Sequence, residues 1–283
     1  MNKPQVMNLN PTLGIGDLLI TRDLVSSDFA SRYNINIHIE WIAHWRNDEY
    51  ANFVAKFCNI LFNDDNINLD FRKTNSHPLG IGIKNSDLVS GNGNDWTGHD
   101  IASRLTYLDL SGILCNNDFD VHKFKNDNSM NSYSVLSTRV RQTRIDTNLV
   151  RSTMTELLSK YDKLILIGEK FRKYDADSNC YPACMEIINE FDRDRIVDLT
   201  NDTINLEYFL YENSICKYAD LCVSMGYGGN FVRSIYNNSD NLLSLINLPC
   251  GLNHPFVKRA TETKRFKIFK NNKDFLENIK CIT

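Results

Sequence analysis

Alternating apolar and polar residues divide the first half of the chain into strands and helices. Ile35–Trp41 and Ile67–Phe71 alternate with the period of two that is typical of a strand with one buried face, and Val6–Leu9 is a shorter strand candidate. Asp17–Val25, which follows Val6–Leu9, and Asp48–Phe62, which follows Ile35–Trp41, carry apolar residues at helical spacing. Strands that alternate with helices predict a parallel α/β domain.

The second half repeats this pattern. Its predicted strands are Tyr133–Ser137, Lys163–Gly168, Arg195–Leu199, Leu221–Met225 and Phe266–Phe269. Its predicted helices are Leu149–Tyr161, Cys184–Phe191, Leu206–Lys217 and Asp274–Ile279. The uninterrupted apolar run Leu164–Ile167 is typical of a strand buried on both faces of a parallel sheet. We therefore predict an α/β fold of two tandem Rossmann-like domains that face a cleft.

The boundary between the two domains is predicted from a polar segment. Tyr107–Leu114 and Phe119–Phe124 are short strand candidates, and Lys125–Asn131 after them is polar and turn-prone. This segment places the boundary at residue 130. The predicted domains are residues 1–130 and residues 131–283.

Composition limits the classes of protein to consider. The chain has 283 residues, 42% hydrophobic and 24% charged, with a net charge of -3, which are values of a globular protein without a general attraction to nucleic acid. It has no run of about 18 apolar residues, so we expect no transmembrane segment. Its first residues lack the pattern of a signal peptide, so we expect a cytoplasmic protein whose eight cysteines are reduced. The cysteine spacings do not fit a zinc site, and we predict no metal.

The first candidate site is the turn that precedes the first helix. Gly14 and Gly16 allow a ligand to approach the backbone closely, and Asp17 follows at the start of the helix. Asp17 either caps the helix and offsets its dipole, or acts as a general base above the sheet. The dinucleotide-binding pattern of three glycines is incomplete, since Leu19 occupies the third position.

The second candidate site combines glycines and arginines that follow predicted strands. Gly226, Gly228 and Gly229 precede Asn230 at a predicted helix start, where free backbone N–H groups bind phosphate. Arg139 and Arg141 follow the first strand of the second half, and two guanidinium groups suit a diphosphate. An ordinary turn and a solvated basic surface are the alternative interpretations.

Two further candidates are predicted to lie near the same edges. Glu169 follows a buried strand, where a carboxylate binds a ribose or a base, although a surface glutamate is equally consistent with the pattern. Trp96 and His99 lie in a polar and aromatic loop of the first half whose composition suits sugar binding. An irregular loop without a ligand is the alternative there.

The layout resembles that of glycosyltransferases with the GT-B architecture. The opening stretch Asn10–Leu19, with Gly14, Gly16 and Asp17, is most similar to that of the heptosyltransferase family. In that family the aspartate after the glycine turn activates the acceptor hydroxyl, and only Asp17 matches that role here. The sequence departs from the family at Gly226–Asn230, so the family's donor sugar is not carried over.

The resemblance implies inverting transfer of a sugar without a metal. Asp17 would remove a proton from the acceptor hydroxyl, while Arg139, Arg141 and the N–H groups of the Gly-rich turn would stabilise the leaving nucleoside diphosphate. We expect no cofactor, a nucleotide-sugar donor with UDP as the default nucleotide, and a glycan acceptor bound by the first domain near Gly16. The sequence is compatible with both a monomer and a homodimer.

Three other functions compete with sugar transfer. A nucleotide-sugar epimerase has the same two-domain architecture, and a non-catalytic protein that binds nucleotide sugars or glycans could be built on a decayed transferase. An NAD-dependent dehydrogenase is disfavoured by Leu19 at the third glycine position. Replacement of Asp17 by asparagine distinguishes an enzyme from a binding protein, because an enzyme would lose turnover and keep nucleotide binding.

Overall fold

The computed structural model of the chain describes residues 5–9, 11, 14–28, 31, 33–42, 48–74, 89–90, 103–138, 146–168, 170, 180–202, 205–225, 235–237, 242–245 and 267–282. The chain divides into two compact units, Met1–Leu108 and Asp109–Thr283. In both units parallel strands are joined through helices, which confirms the α/β class.

The first unit is built on a sheet in the order β3-β2-β1-β4. Its described elements are β1 (Gln5–Leu9), α1 (Ile15–Val25), β2 (Tyr33–Ile42), α2 (Asp48–Leu61), β3 (Ile67–Thr74) and β4 (Val89–Ser90). The first three strands are parallel, and β4 pairs antiparallel with β1. Because crossovers between parallel strands are right-handed, α1 and α2 lie on the same face of the sheet.

The two faces of this sheet differ in polarity, as the alternation along β2 predicts. Ile35, Ile37 and Ile39 are buried on the face that the helices cover. On the other face the Asn36 amide donates to Asn8 Oδ1 across 3.0 Å. Side-chain hydrogen bonds between neighbouring strands therefore replace apolar packing on this second face.

The second unit contains a six-stranded sheet in which every neighbouring pair is parallel. Its described strands are β5 (Tyr133–Ser137), β6 (Lys163–Ile167), β7 (Ile196–Asp198), β8 (Leu221–Ser224), β9 (Leu242–Leu245) and β10 (Lys267–Phe269). Its described helices are α3 (Ser111–Leu114), α4 (Val121–Asp127), α5 (Thr147–Lys160), α6 (Tyr181–Ile187), α7 (Leu206–Lys217) and α8 (Asn272–Cys281). The strand order is β10-β9-β8-β5-β6-β7. Numbered within the unit from the other edge, it is 3-2-1-4-5-6, the order of a doubly wound sheet.

Helices cover both faces of the six-stranded sheet, as its apolar strands require. One face packs against α5, α6 and α8, and its core includes Leu136, Leu166 and Val223. On the opposite face, the hydroxyl of Tyr133 donates to the backbone oxygen of Ile215 in α7 at 2.8 Å. The first and fourth strands of the unit, β5 and β8, therefore lie side by side between two helical layers.

The predicted ranges 1–130 and 131–283 differ from the two units by residues 109–130, which belong to the second unit. The backbone N–H of Leu110 donates to the oxygen of Tyr236 at 2.8 Å, and that of Asn116 donates to Ser214 Oγ at 2.8 Å. These bonds attach α3 and the segment after it to elements of the second half, so the compact units divide after Leu108.

The prediction of two short strands at Tyr107–Leu114 and Phe119–Phe124 is wrong. Ser111–Leu114 and Val121–Asp127 are helical instead. Asp120 accepts hydrogen bonds from the N–H groups of His122 and Lys123, so its side chain caps the helix that the apolar pattern did not predict. The strand β9 was also not predicted.

Candidate functional site

The carboxyl edge of the six-stranded sheet contains the switch point of the doubly wound order. The chain leaves β5 toward β6 on one side and leaves β8 toward β9 on the other, so their adjacent carboxyl ends border a crevice. Ser137 of β5 pairs with Ser224 of β8, and both are nearly fully buried. A buried polar pair thus stands at the carboxyl ends of the two central strands.

Backbone hydrogen bonds tie the ends of β5 and β6 together. Both the backbone N–H and the hydroxyl of Thr138 donate to the oxygen of Ile167, at 2.9 and 3.0 Å. Thr138 is fully buried, and its own oxygen accepts from the N–H of Cys180 at 2.8 Å. The first residue beyond β5 is therefore fixed on both sides.

Gly168, the residue after β6, turns the chain in a conformation that favours glycine, with φ of 109°. Its N–H donates to Glu212 Oε1 at 2.7 Å, and its oxygen accepts from the N–H of Asn201 at 2.9 Å. The N–H of Lys170 in turn donates to the oxygen of Asn201 at 2.8 Å. Hydrogen bonds from α7 and from the end of β7 thus fix both sides of this turn.

Glu212 is a buried carboxylate in the middle of α7, only 4% exposed. Buried carboxylates are rare and need compensating donors. One of those donors is the N–H of Gly168 at the carboxyl edge of the sheet. The Glu212 side chain therefore holds the turn that immediately precedes Glu169 in the sequence.

A second buried polar group anchors the segment Ile235–Asn237, which follows the Gly-rich stretch in the sequence. Asn237 is fully buried, and its amide donates to the backbone oxygen of Asn213 at 2.6 Å. Its Oδ1 accepts from the thiol of Cys115 at 2.9 Å. The segment Ile235–Asn237 is therefore bonded to α7 and to Cys115, the residue that follows α3.

The sequence prediction for Asp17 is confirmed in its position and untested in its role. Asp17 lies in the first turn of α1 and is half-buried, beside Gly16. The N-cap is Gly14, whose position makes Asp17 the third helical residue rather than the cap. A carboxylate in the first turn is favoured by the helix dipole.

The other candidate residues from the sequence lie outside the described residues. They are Trp96, His99, Arg139, Arg141, Glu169, Gly226, Gly228, Gly229 and Asn230. In the sequence, the two arginines follow β5, Glu169 follows β6 and the glycines follow β8. The candidates of the second half thus follow, in the sequence, strands whose carboxyl ends lie at the edge described above.

Cysteines near this edge are thiols in apolar surroundings. Cys180 and Cys184 are fully buried, and the hydrogen bond with Cys184, together with burial, raises the pKa of the Cys180 thiol well above its usual range. Among the described residues no group of three His, Cys, Asp or Glu side chains could hold a metal ion. In the same part of the chain no helix is long and apolar enough to cross a membrane.

The sequence analysis missed Glu212 and Asn237, and a signal for Glu212 was present. The predicted helix Leu206–Lys217 has apolar residues at Phe209 and Cys216, and Glu212 lies between them on the same helical face. A carboxylate at a position where the helical pattern requires an apolar residue indicates a buried polar contact. Asn237 follows no comparable pattern.

The comparisons with protein families and with curated proteins give no relative. No protein-family model matches this chain. No curated protein is significantly similar to it. Its function is therefore argued from its own residues.

Proposed function

We propose that the chain is a glycosyltransferase that transfers a hexose or pentose from a nucleoside-diphosphate sugar to a hydroxyl of a glycan acceptor. The observation that carries this proposal is the parallel sheet in the order 3-2-1-4-5-6, whose switch point lies between β5 and β8. Nucleotides bind at such switch points, beyond the carboxyl ends of the strands. Arg139, Arg141 and the Gly-rich stretch follow those two strands in the sequence, and they suit a diphosphate.

The proposed donor site uses charge and backbone dipoles in place of a metal. As the sugar is transferred, the leaving nucleoside diphosphate gains negative charge, which the two arginines and the N–H groups of Gly228 and Gly229 would stabilise. Glu169 would bind the ribose or the base. UDP is the default nucleotide of this proposal.

The proposed catalytic base is Asp17. Its place in the first turn of α1, half-buried and beside Gly16, supports this role, because the side chain is partly accessible. In the proposed inverting step, Asp17 takes the proton of the acceptor hydroxyl while that oxygen bonds to the anomeric carbon and the nucleoside diphosphate leaves.

A thermal-shift panel with UDP, GDP, ADP, CMP and NAD, each with and without magnesium, tests the donor site. A ligand at 100 times its dissociation constant adds about 2.7 kcal/mol to the free energy of unfolding. We expect a clear shift with one nucleoside diphosphate that does not depend on magnesium. A shift with NAD alone would contradict the proposal and favour a dehydrogenase.

The Asp17→Asn variant tests the base. We expect release of nucleoside diphosphate from the donor to fall at least about 100-fold, since general-base catalysis contributes that much or more, while nucleotide binding stays unchanged. Asp48→Asn is the matched control, because Asp48 is an exposed carboxylate in the first turn of α2. Unchanged turnover in Asp17→Asn would refute the base assignment.

A further inference from the structure

The helix α7 contains three consecutive polar residues that are almost completely buried. Glu212, Asn213 and Ser214 are 4%, 0% and 0% exposed. The side chains of Glu212 and Ser214 and the backbone oxygen of Asn213 each bond a different segment of the second unit. Burying three polar groups in one helical turn is costly, so their retention calls for a physical reason.

The first bond of this triplet reaches the end of β6. Glu212 Oε1 accepts from the N–H of Gly168 at 2.7 Å, in a turn whose φ of 109° disfavours any other residue. Gly168 immediately precedes Glu169, the proposed ligand of the ribose or base. A shift of the Glu212 carboxylate would therefore move the start of that loop.

The second bond reaches the segment after the Gly-rich stretch. The backbone oxygen of Asn213 accepts from the Asn237 amide at 2.6 Å, and Asn237 Oδ1 accepts from the Cys115 thiol. Asn237 is separated from Asn230, the last proposed phosphate-binding residue, by six residues of sequence. The bond to α7 thus fixes Asn237, which follows the proposed phosphate-binding residues in the sequence.

The third bond serves as an internal comparison. Ser214 Oγ accepts from the N–H of Asn116 at 2.8 Å and donates to the oxygen of Leu210 at 2.9 Å. Asn116 leads into α4, and its neighbour Cys115 donates to Asn237, so Ser214 is a control for Glu212 alone. Ser214 therefore matches Glu212 in burial and in helix, but not in the segment it holds.

We propose that Glu212 and Asn237 are positioning residues of the nucleotide site. Through α7 they fix Gly168 and Asn237, which flank the proposed donor-binding residues in the sequence, so that those residues would bind the diphosphate and the ribose together. Neither side chain touches the nucleotide in this scheme. This inference rests on the proposed function, and it adds residues that no sequence motif indicates.

The test compares nucleotide affinity with folding stability in matched variants. The probes are UDP, GDP and ADP, titrated by calorimetry at a temperature at which circular dichroism shows every variant folded. We expect Glu212→Leu and Asn237→Leu to weaken binding of the preferred nucleotide by about tenfold or more, which corresponds to about 1.4 kcal/mol. Ser214→Ala is expected to lower the melting temperature but to keep the wild-type affinity.

A conservative variant distinguishes positioning from loss of structure. Glu212→Gln keeps an oxygen that accepts from the N–H of Gly168, so we expect it to recover most of the affinity that Glu212→Leu loses. Equal affinity in wild type, Glu212→Leu and Asn237→Leu would overturn the positioning role while leaving the nucleotide site intact. If the wild-type chain binds none of the three nucleotides, the proposed function itself fails.

Discussion

The fully buried carboxylate of Asp23 accepts a 2.8 Å hydrogen bond from the backbone N–H of Tyr107, a residue held at a positive φ of 50°. The backbone N–H and the hydroxyl of Thr106 also donate to Asp23, at 3.2 and 2.8 Å. The carboxylate thus satisfies three donors of a segment without regular structure. It fixes the end of the first unit to α1, the helix that carries Asp17.

Replacement of Asp23 by alanine should destabilise the chain strongly. It leaves the N–H of Tyr107 and the two donors of Thr106 without their acceptor, and we expect a loss of about 3 kcal/mol or more in the free energy of unfolding. Urea denaturation followed by circular dichroism measures this loss. Asp28→Ala, at an exposed position soon after the same helix, should change stability by less than about 0.5 kcal/mol. Equal effects of the two substitutions would contradict the role of the Asp23 carboxylate.

Asp162 should make the stability of the second unit dependent on pH in the acid range. Hydrogen bonds from the N–H groups of Asn131 and Ser132, at 2.8 and 3.1 Å, lower the pKa of this carboxyl below its usual value. Because the folded pKa is the lower one, the ionised group stabilises the fold above the unfolded pKa of about 3.9. That contribution is lost as the pH falls through the folded pKa.

The Asp162→Asn variant isolates this charge, since asparagine keeps one oxygen acceptor. We expect wild type to have the higher urea midpoint at pH 7 and the two midpoints to converge as the pH falls below the unfolded pKa of about 3.9 and through the lower folded pKa. Titrations at several pH values follow the convergence. If the urea midpoints of wild type and Asp162→Asn differ by the same amount at all pH values, the charge of Asp162 does not contribute to stability.

The elements that the sequence predicted best are those in which local pattern and tertiary packing agree. The bounds of Tyr133–Ser137 and Leu206–Lys217 match the prediction, since the first is buried throughout and the second begins at Asn205, whose side chain caps it. Val121–Asp127 was mistaken for a strand because its short apolar pattern carries no period. Its helical state depends on the cap at Asp120 and on ring contacts of Phe124 with Tyr133 and Tyr211.

The candidate site was predicted only where a motif lies next to a strand end. The turn before α1 and its Asp17 could be located from glycine spacing. Glu212 and Asn237 act through bonds to residues that are 44 and 24 positions away in the sequence. Contacts between residues so far apart depend on the strand order 3-2-1-4-5-6. No short stretch of the sequence indicates that order.

The cysteines should differ sharply in reactivity toward iodoacetamide in the native protein. Cys281 is exposed, whereas burial raises the pKa of Cys58 to about 12 and that of Cys115 to about 11. Only thiolates react, so at pH 8 we expect Cys281 to be alkylated well before Cys58 or Cys115. Peptide mapping by mass spectrometry gives the extent at each site. In urea the three should react at similar rates, and similar rates without urea would contradict the burial of Cys58 and Cys115.

Asn213 should limit the stability of the chain, because neither atom of its fully buried amide has a hydrogen-bond partner among the described residues. Leucine has nearly the same shape and no polar atoms. Asn213→Leu keeps the backbone oxygen that holds Asn237, so we expect the free energy of unfolding to rise by about 1–3 kcal/mol, the usual cost of an unsatisfied buried polar group.

Urea denaturation of Asn213→Leu beside Ser214→Ala tests this prediction within one helix. Ser214→Ala removes an acceptor from the N–H of Asn116 and should lower stability, so the two neighbouring substitutions should have opposite signs. A loss of stability in Asn213→Leu would show that the amide is bonded after all. A gain in stability together with unchanged nucleotide affinity would mean that Asn213 contributes to the site through its backbone oxygen alone, as the bond to Asn237 requires.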